Sequence, residues 1–325
     1  MSKFYYTSKE ILESVKRRII MPTSQSTLSD QDLLDFGTEE VNLAIVPMVT
    51  KQQENYFLTY VDIPLEPGVR GYDIPYRATG NKLKDVSFLT TDDNNPQELV
   101  RVEIEDLPTF QNMTYARNVH AFYIMNNQVV LVGDPNGFPT TGKLRMYYYM
   151  RPNSLVPLEE VCIITNIDRV NKQVTVANIP EKFVNSAGQP LPTLQFDFIS
   201  TKSPHKTLGF DMFPSSFNVS TMVVTFNEEL PKGLTVGDHM ALSTETAIPQ
   251  IPSDLHVILC HRIAARCLEA MGDSEGLQAA NLKLVEMQQN AIDLIDDRVE
   301  GAAKKIINRR STIRNGITSR RITRR

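Results

Sequence analysis

Residues able to do chemistry are sparse in this 325-residue chain, and they do not assemble into a complete site. His256, Cys260 and His261 fall on one stretch of helical pattern, where side chains four apart share a face and can chelate a soft ion. No second His or Cys cluster supplies the third and fourth ligands, so packing and capping roles are expected for them, and no metal. Asp92, Asp93, Asn94, Asn95 and Pro96 have the oxygen density of a calcium loop. The run lacks the glycine at the sixth position and the distal bidentate Glu, which makes it a solvated turn. The signatures G-x-x-x-x-G-K-[ST], G-x-G-x-x-G, H-E-x-x-H and G-x-S-x-G do not occur, and Gly68 and Gly71 read as turn residues. No cofactor is expected and the chain is expected not to be an enzyme. One enzymatic alternative leaves little trace in a sequence, a β-scaffold cleft with two facing carboxylates.

The most pronounced charge feature is the last stretch. Residues 301–325 hold nine basic side chains, Lys304, Lys305, Arg309, Arg310, Arg314, Arg320, Arg321, Arg324 and Arg325, and no acidic one. The preceding 300 residues hold 25 basic against 38 acidic, so a body at −13 carries an arm at +9. Ile306, Ile307, Ile313, Ile317 and Ile322 punctuate the arm without helical period. They are too few to offset the entropy of ordering the segment alone, so it is expected to be disordered until a partner orders it. A solvated tail, phosphate neutralisation on nucleic acid, and docking onto an acidic protein surface with the isoleucines as anchors are the three readings. The arm carries no aromatic ring to stack bases and the body is acidic, which counts against nucleic acid. Alternating Arg and β-branched residues suit an extended segment ordered on binding, which favours protein docking.

Helical pattern brackets the chain. Thr7 to Glu10 reads as a capping box before an amphipathic helix through Ile11, Leu12, Val15, Ile19 and Ile20, ended by Pro22. A second helix opens at Ser29 and runs through Leu33, Leu34, Val41, Ala44, Ile45 and Met48, with Pro47 expected to kink or end it near residue 50. At the other end, Ser253 caps a helix carrying Leu255, Ile258, Leu259, Ile263, Cys267, Leu268 and Met271 to a core. Gly272, Asp273 and Ser274 supply a left-handed stop and a new cap, predicting an antiparallel hairpin. In the last helix Leu277, Ala280, Leu284, Met287, Ala291 and Leu294 recur at three and four, and Val285, Ile292, Ile295 and Val299 widen the stripe. Such breadth predicts a helix at the centre of a bundle. Because stripes at both ends need covering, the fold class is α+β, a discontinuous antiparallel helical bundle with a large inserted antiparallel β-domain.

Between the helices the period changes to two. Residues 56–63, 71–76, 84–90, 98–104, 121–125, 128–132 and 144–150 predict antiparallel strands, with Asn126-Asn127 as a two-residue hairpin turn and Asp134 to Gly137 as a longer one. A second series follows at 161–167, 173–177, 193–201, 218–227 and 239–243. The expected divisions are 1–52, N-terminal helices; 53–151 and 152–250, two β-subdomains; 251–300, helical hairpin; and 301–325, basic arm. Membrane insertion is not expected, because no apolar run approaches the roughly 18 or more residues needed to span a bilayer, and the candidate at 43–50 is broken by Pro47. Residues 9–21 do not read as a signal peptide, because Lys16, Arg17 and Arg18 interrupt them. Three cysteines, an odd number, indicate a reducing compartment during folding, and Cys260 and Cys267 are about 10 Å apart along one helix, too far to pair.

Ser29-Asp30-Gln31-Asp32-Leu33-Leu34, the stretch Leu255 to Met271 with Gly272-Asp273, the helix from Gln278 to Arg298 and the arm from Ala303 to Arg325 resemble the head-to-tail connector (adaptor, or head completion) proteins of tailed bacteriophages. The resemblance implies a structural virion protein at the head–tail junction, made in the host cytoplasm. It implies a self-assembled ring, usually dodecameric, bound beneath the portal protein, with DNA passing through the channel without specific binding. The C-terminal arm would lie along portal subunits, and the opposite surface would receive a further tail component such as a nozzle, tube or second ring protein. Two other readings remain: a tail or baseplate component whose β-module binds host glycan, which an exposed cluster among Tyr147, Tyr148 and Tyr149 would favour, and a nucleic-acid-binding protein acting through the arm.

Overall fold

The structure is a computed structural model and describes residues 5–19, 28–90, 96–108, 121–132, 142–184, 191 and 193–295. Helix α1 (Ser8–Arg18) begins where the Thr7 N–H donates to Glu10 Oε2 at 2.7 Å, the side-chain half of a capping box. Helix α2 (Asp30–Glu40) is capped in the same way, with the Asp32 N–H donating to Ser29 Oγ at 3.2 Å. A single π-turn, Val41–Ile45, interrupts the α-helical path just before Pro47, and helix α3 (Val46–Gln52) then ends near residue 50, as expected from Pro47. Proline has no N–H to give and its ring crowds the preceding turn; the wider turn makes room. Helix α4 (His256–Met271) follows a 3₁₀ turn at Ser253–Leu255 and stops at Gly272, whose φ of 76° lies in the left-handed region. Helix α5 (Ser274–Ile295) is capped by Asp273, whose carboxylate accepts from the Gly276 N–H at 2.9 Å.

Both ends of the chain contribute to one core. Ile11 and Val15 of α1, Leu33 and Leu34 of α2, Val49 of α3, Leu259, Ile263 and Cys267 of α4, and Leu284, Ala291 and Ile295 of α5 are buried together. Gly37 sets the spacing of α2: a Cβ there would lie 3.0 Å from Leu155 Cδ1 and 3.1 Å from Ile263 Cδ1. The outcome for α5 differs from the sequence expectation. Only the side bearing Leu284, Ala291 and Ile295 is buried, with Leu277, Ala280 and Met287 half-covered, while Leu282, Val285, Ile292 and Leu294 face solvent. The helix rests chiefly on α4 and α3, so it lies at the margin of this core rather than at its centre.

The β-structure has two large cores and two small satellite clusters. In the first part, β1 (Leu58–Pro64), β8 (Lys143–Met150), β3 (Ala78–Leu89) and β4 (Gln97–Glu98) form one sheet in that order, and β2 (Gly71–Asp73), β7 (Gln128–Val132), β6 (Ala121–Met125) and β5 (Val100–Arg101) another. They enclose Phe88, Leu144, Met146, Phe122 and Val129. The β6–β7 turn is Asn126-Asn127, both residues left-handed at φ 49° and 62°. Asp134 to Gly137 lies outside the described residues. After the short β9 (Ser154–Leu155), a seven-stranded sheet runs in the order β13 (Thr207–Met212), β12 (Phe196–Ile199), β16 (His239–Leu242), β10 (Cys162–Asp168), β11 (Gln173–Val176), β15 (Val223–Phe226), β14 (Pro214–Asn218). It wraps a core containing Phe183, Phe196, Phe198 and Phe226. Three sequence expectations need correction here. The expected single strand 218–227 is instead the end of β14, a turn at 219–222 in which Met222 has φ 56°, and β15; Thr207–Met212 was not anticipated; and two pairings, β5–β6 and β9 with β17 (Glu245–Thr246), are parallel.

That last small pair fastens the β-part to the helices. The Leu155 N–H donates to Thr38 Oγ1 at 2.9 Å, and the Ser8 N–H donates to the Ala247 carbonyl at 2.7 Å.

Candidate interaction surfaces

The thirteen arm residues that sequence reasoning singled out, Lys304, Lys305, Ile307, Arg309, Arg310, Ile313, Arg314, Ile317, Arg320, Arg321, Ile322, Arg324 and Arg325, lie outside the described residues. What the structure fixes is the point from which they depart. Ile295 is buried in the helical core, and its carbonyl accepts from Gln53 Nε2 at 2.9 Å, so the end of α5 is held against the end of α3.

A buried charge cluster joins the two β-parts. Arg77, in the turn before β3, is 5% exposed and forks onto Asp197 of β12, 0% exposed, with Nη1 to Oδ2 at 2.8 Å and Nη2 to Oδ1 at 2.9 Å. Its Nη2 also donates to Asp211 Oδ1 at 2.6 Å. Asp197 accepts three further hydrogen bonds, from Asn153 Nδ2 at 2.8 Å and from the Asp211 and Thr244 N–H groups at 3.0 Å. Tyr76 Oη and Ser243 Oγ complete the shell around Asp211. Burial alone would depress the Arg77 pKa, but the hydrogen bonds and charges of Asp211 and Asp197 outweigh it and raise it. Burial would likewise raise the Asp211 pKa, and the hydrogen bonds from Arg77, Ser243 and Tyr76 reverse that and lower it. A paired and fully hydrogen-bonded cluster of this kind adds little net stability over an apolar one, yet losing one partner is severe, which suits a joint that fixes geometry. Sequence reasoning missed it, since Arg77 and Asp197 are 120 positions apart.

The candidate metal residues are not brought together into a ligand set. His256 Nδ1 accepts from the Tyr6 N–H at 2.9 Å and its ring lies 5.7 Å from that of His205, while Cys260 packs in the helical core. Burial pushes the His256 pKa down to about 3, with the nearby His205 adding to it. Burial also raises the thiol of Cys260, and those of Cys162 and Cys267 to about 12 and about 11, so all three remain inert thiols. Of the three tyrosines on β8, Tyr148 is buried; Tyr147 and Tyr149 face outwards, Tyr147 beside Tyr60, whose ring lies 4.1 Å from the Arg145 guanidinium. Of the calcium-like run 92–96, residues 92–95 lie outside the described part.

The chain is mixed α+β, and a buried charge cluster locks its two β-parts together. The comparison with protein families gives the class of protein. The family model described as SU10 adaptor protein matches residues 6–187, more than half of the chain, and the chain belongs to that family of phage head-to-tail adaptors. The family is a structural one, which places the chain among virion components. A search of curated proteins returns no match. The matched span runs through the first β-part and into the second. Of the residues that carried the sequence resemblance, only Ser29 to Leu34 lie within it; the C-terminal hairpin and the arm do not. No helix among the described residues is long and apolar enough to cross a membrane.

Proposed function

We propose that copies of this chain form a ring, dodecameric by the family resemblance, that docks beneath the portal protein through the C-terminal arms and receives a further tail component on its opposite face. Residues 1–52 and 251–300 act as one discontinuous helical bundle, from which 53–151 and 152–250 project towards the tail. The observation that carries this reading is the family match over 6–187, and the charge division supports it, with a body at −13 and an arm at +9. An acidic ring wall repels DNA phosphate and lets the genome slide past without binding. On an acidic portal groove, the arginines of the arm form bidentate pairs and its isoleucines bury apolar surface. Each arm pays an ordering cost, so stable attachment rests on many arms acting together.

Deleting residues 303–325 tests the docking role. The truncated chain is expected to keep its melting temperature and to fail to join portal complexes at physiological salt. A truncated chain that still joins them moves the docking surface to the folded body.

A further inference from the structure

Helix α5 carries three kinds of surface. One side is buried against α4 and α3. The other two flanks each expose large apolar side chains: Leu282 at 72%, Val285 at 56% and Ile292 at 37% on one, and Leu294 at 74% on the other. At 3.6 residues per turn, Ile292 and Leu294 point about 200° apart around the helix while sitting about 3 Å apart along it. A closed two-fold dimer needs a single self-complementary patch, whereas a ring needs two different patches on opposite flanks of each copy, at matching height. Helix α5 meets that requirement.

We infer that the Leu282–Val285–Ile292 flank of α5 packs against the Leu294 flank of α5 in a neighbouring copy of the same chain, forming the contact that repeats around the ring. This rests on the adaptor reading and deepens it. The spacing of three and seven residues in the first flank is the register that fits another helix lying nearly parallel. At the level of Leu282 and Val285 the opposite flank offers Ala279 and Lys283, both exposed, one small and one flexible. The charges are complementary. Exposed Glu286 and Asp293 edge the first flank, and Lys283 edges the second. Among the described residues, Lys283 pairs with Glu286 through an exposed bond at 2.8 Å, which is easily exchanged. A cleft of about 390 Å³ between α4 and α5, bordered by Val285, Leu277 and Leu284, opens beside the first flank with room for a neighbouring side chain. Gln278 and Gln289 interrupt the first flank at heptad positions, which makes each contact weak singly and leaves stability to ring closure.

The test uses full-length Ile292→Cys and Leu294→Cys proteins, separately, mixed and combined in one chain, under mild oxidation of the purified protein and of assembled particles. The native thiols Cys162, Cys260 and Cys267 are fully buried and do not compete. The expected result is no cross-link from either single variant, a dimer from the mixture and a ladder of multimers from the double variant. A second variant, Leu282→Asp with Val285→Asp, the two most exposed apolar residues of that flank, should raise the concentration needed for self-association by about tenfold or more with little change in the melting temperature of the dissociated chain. A dimer from either single variant alone, or no cross-link from the double variant in particles that contain the chain, overturns the contact and leaves the adaptor reading standing. Particles that assemble fully without the chain overturn the adaptor reading, and a ladder from purified double variant then still upholds the contact between copies.

Discussion

The joint around Arg77 and the outer flanks of α5 depart from the usual partition of side chains in opposite directions. At the joint, charges that water would solvate are buried and answered group by group: a guanidinium by two carboxylates, and those by an amide, two hydroxyls and two backbone N–H groups. On α5, apolar side chains that a core would take are left in solvent. The first arrangement is complete within one chain and resists change. The second is incomplete within one chain, and an unfilled apolar flank is where a partner gains most by binding. Rigidity is thus concentrated between the β-parts and unsatisfied surface at the helical end, the division of labour expected of an assembly part with one fixed projection and one joining edge.

The contrast can be tested by substitution, from the largest effect to the smallest. Asp197→Ala leaves Arg77 buried beside Asp211 alone and is expected to cost about 3–5 kcal/mol, read by chemical denaturation. A loss below about 1 kcal/mol would mean the joint tolerates water and does not fix the β-parts. Leu284→Ala, on the buried side of α5, should cost about 2–5 kcal/mol. Gly37→Leu should cost about 1–3 kcal/mol by forcing α2 away from Leu155 and Ile263, where even a methyl is tight. Val285→Asp, on the exposed flank of the same helix as Leu284, should change monomer stability by no more than about 0.5 kcal/mol. Equal losses from Leu284→Ala and Val285→Asp would erase the difference between the two sides of α5.

His256 adds a pH-dependent term. Its folded pKa is pushed down to about 3, so the unfolded chain binds a proton that the folded chain refuses. Its contribution is fully present above the ordinary histidine pKa of about 6.5 and is lost by up to about 1.4 kcal/mol per pH unit as the pH falls from there towards the folded value. His256→Gln keeps an acceptor for the Tyr6 N–H and should flatten the stability profile between pH 6 and 4 relative to the wild type, in denaturation series at matched salt.

Much of the helical part was legible because its signals are local. The Thr7–Glu10 and Ser29–Asp32 pairs mark helix starts through bonds three residues long, and Gly272 marks a stop through its own backbone. The Asn126-Asn127 turn is legible for the same reason. Strands 207–212 and 214–218 were not, since Gly209, Pro214, Ser215 and Ser216 carry little strand propensity and gain their place from the neighbouring β12 and β15. The helix end near residue 50 was legible from Pro47, whereas the π-turn at Val41–Ile45 that makes room for its ring was not, an accommodation no propensity scale includes. Periodicity showed that α5 has a broad apolar stripe, and nothing in it could say which part the chain covers itself. The candidate arm was legible only as charge and composition. The Arg77 joint depends on partners 120 and 134 positions away and could not be read at all.

The most direct measurement of the central claim is a cryo-EM reconstruction of the native particle at the vertex that carries the tail. Density for this chain is expected as a closed ring between portal and tail, with its C-terminal segment against the portal and α5 at the contact between copies. Density for the chain at a peripheral fibre or baseplate, or its absence from a particle with an intact head–tail joint, would contradict it.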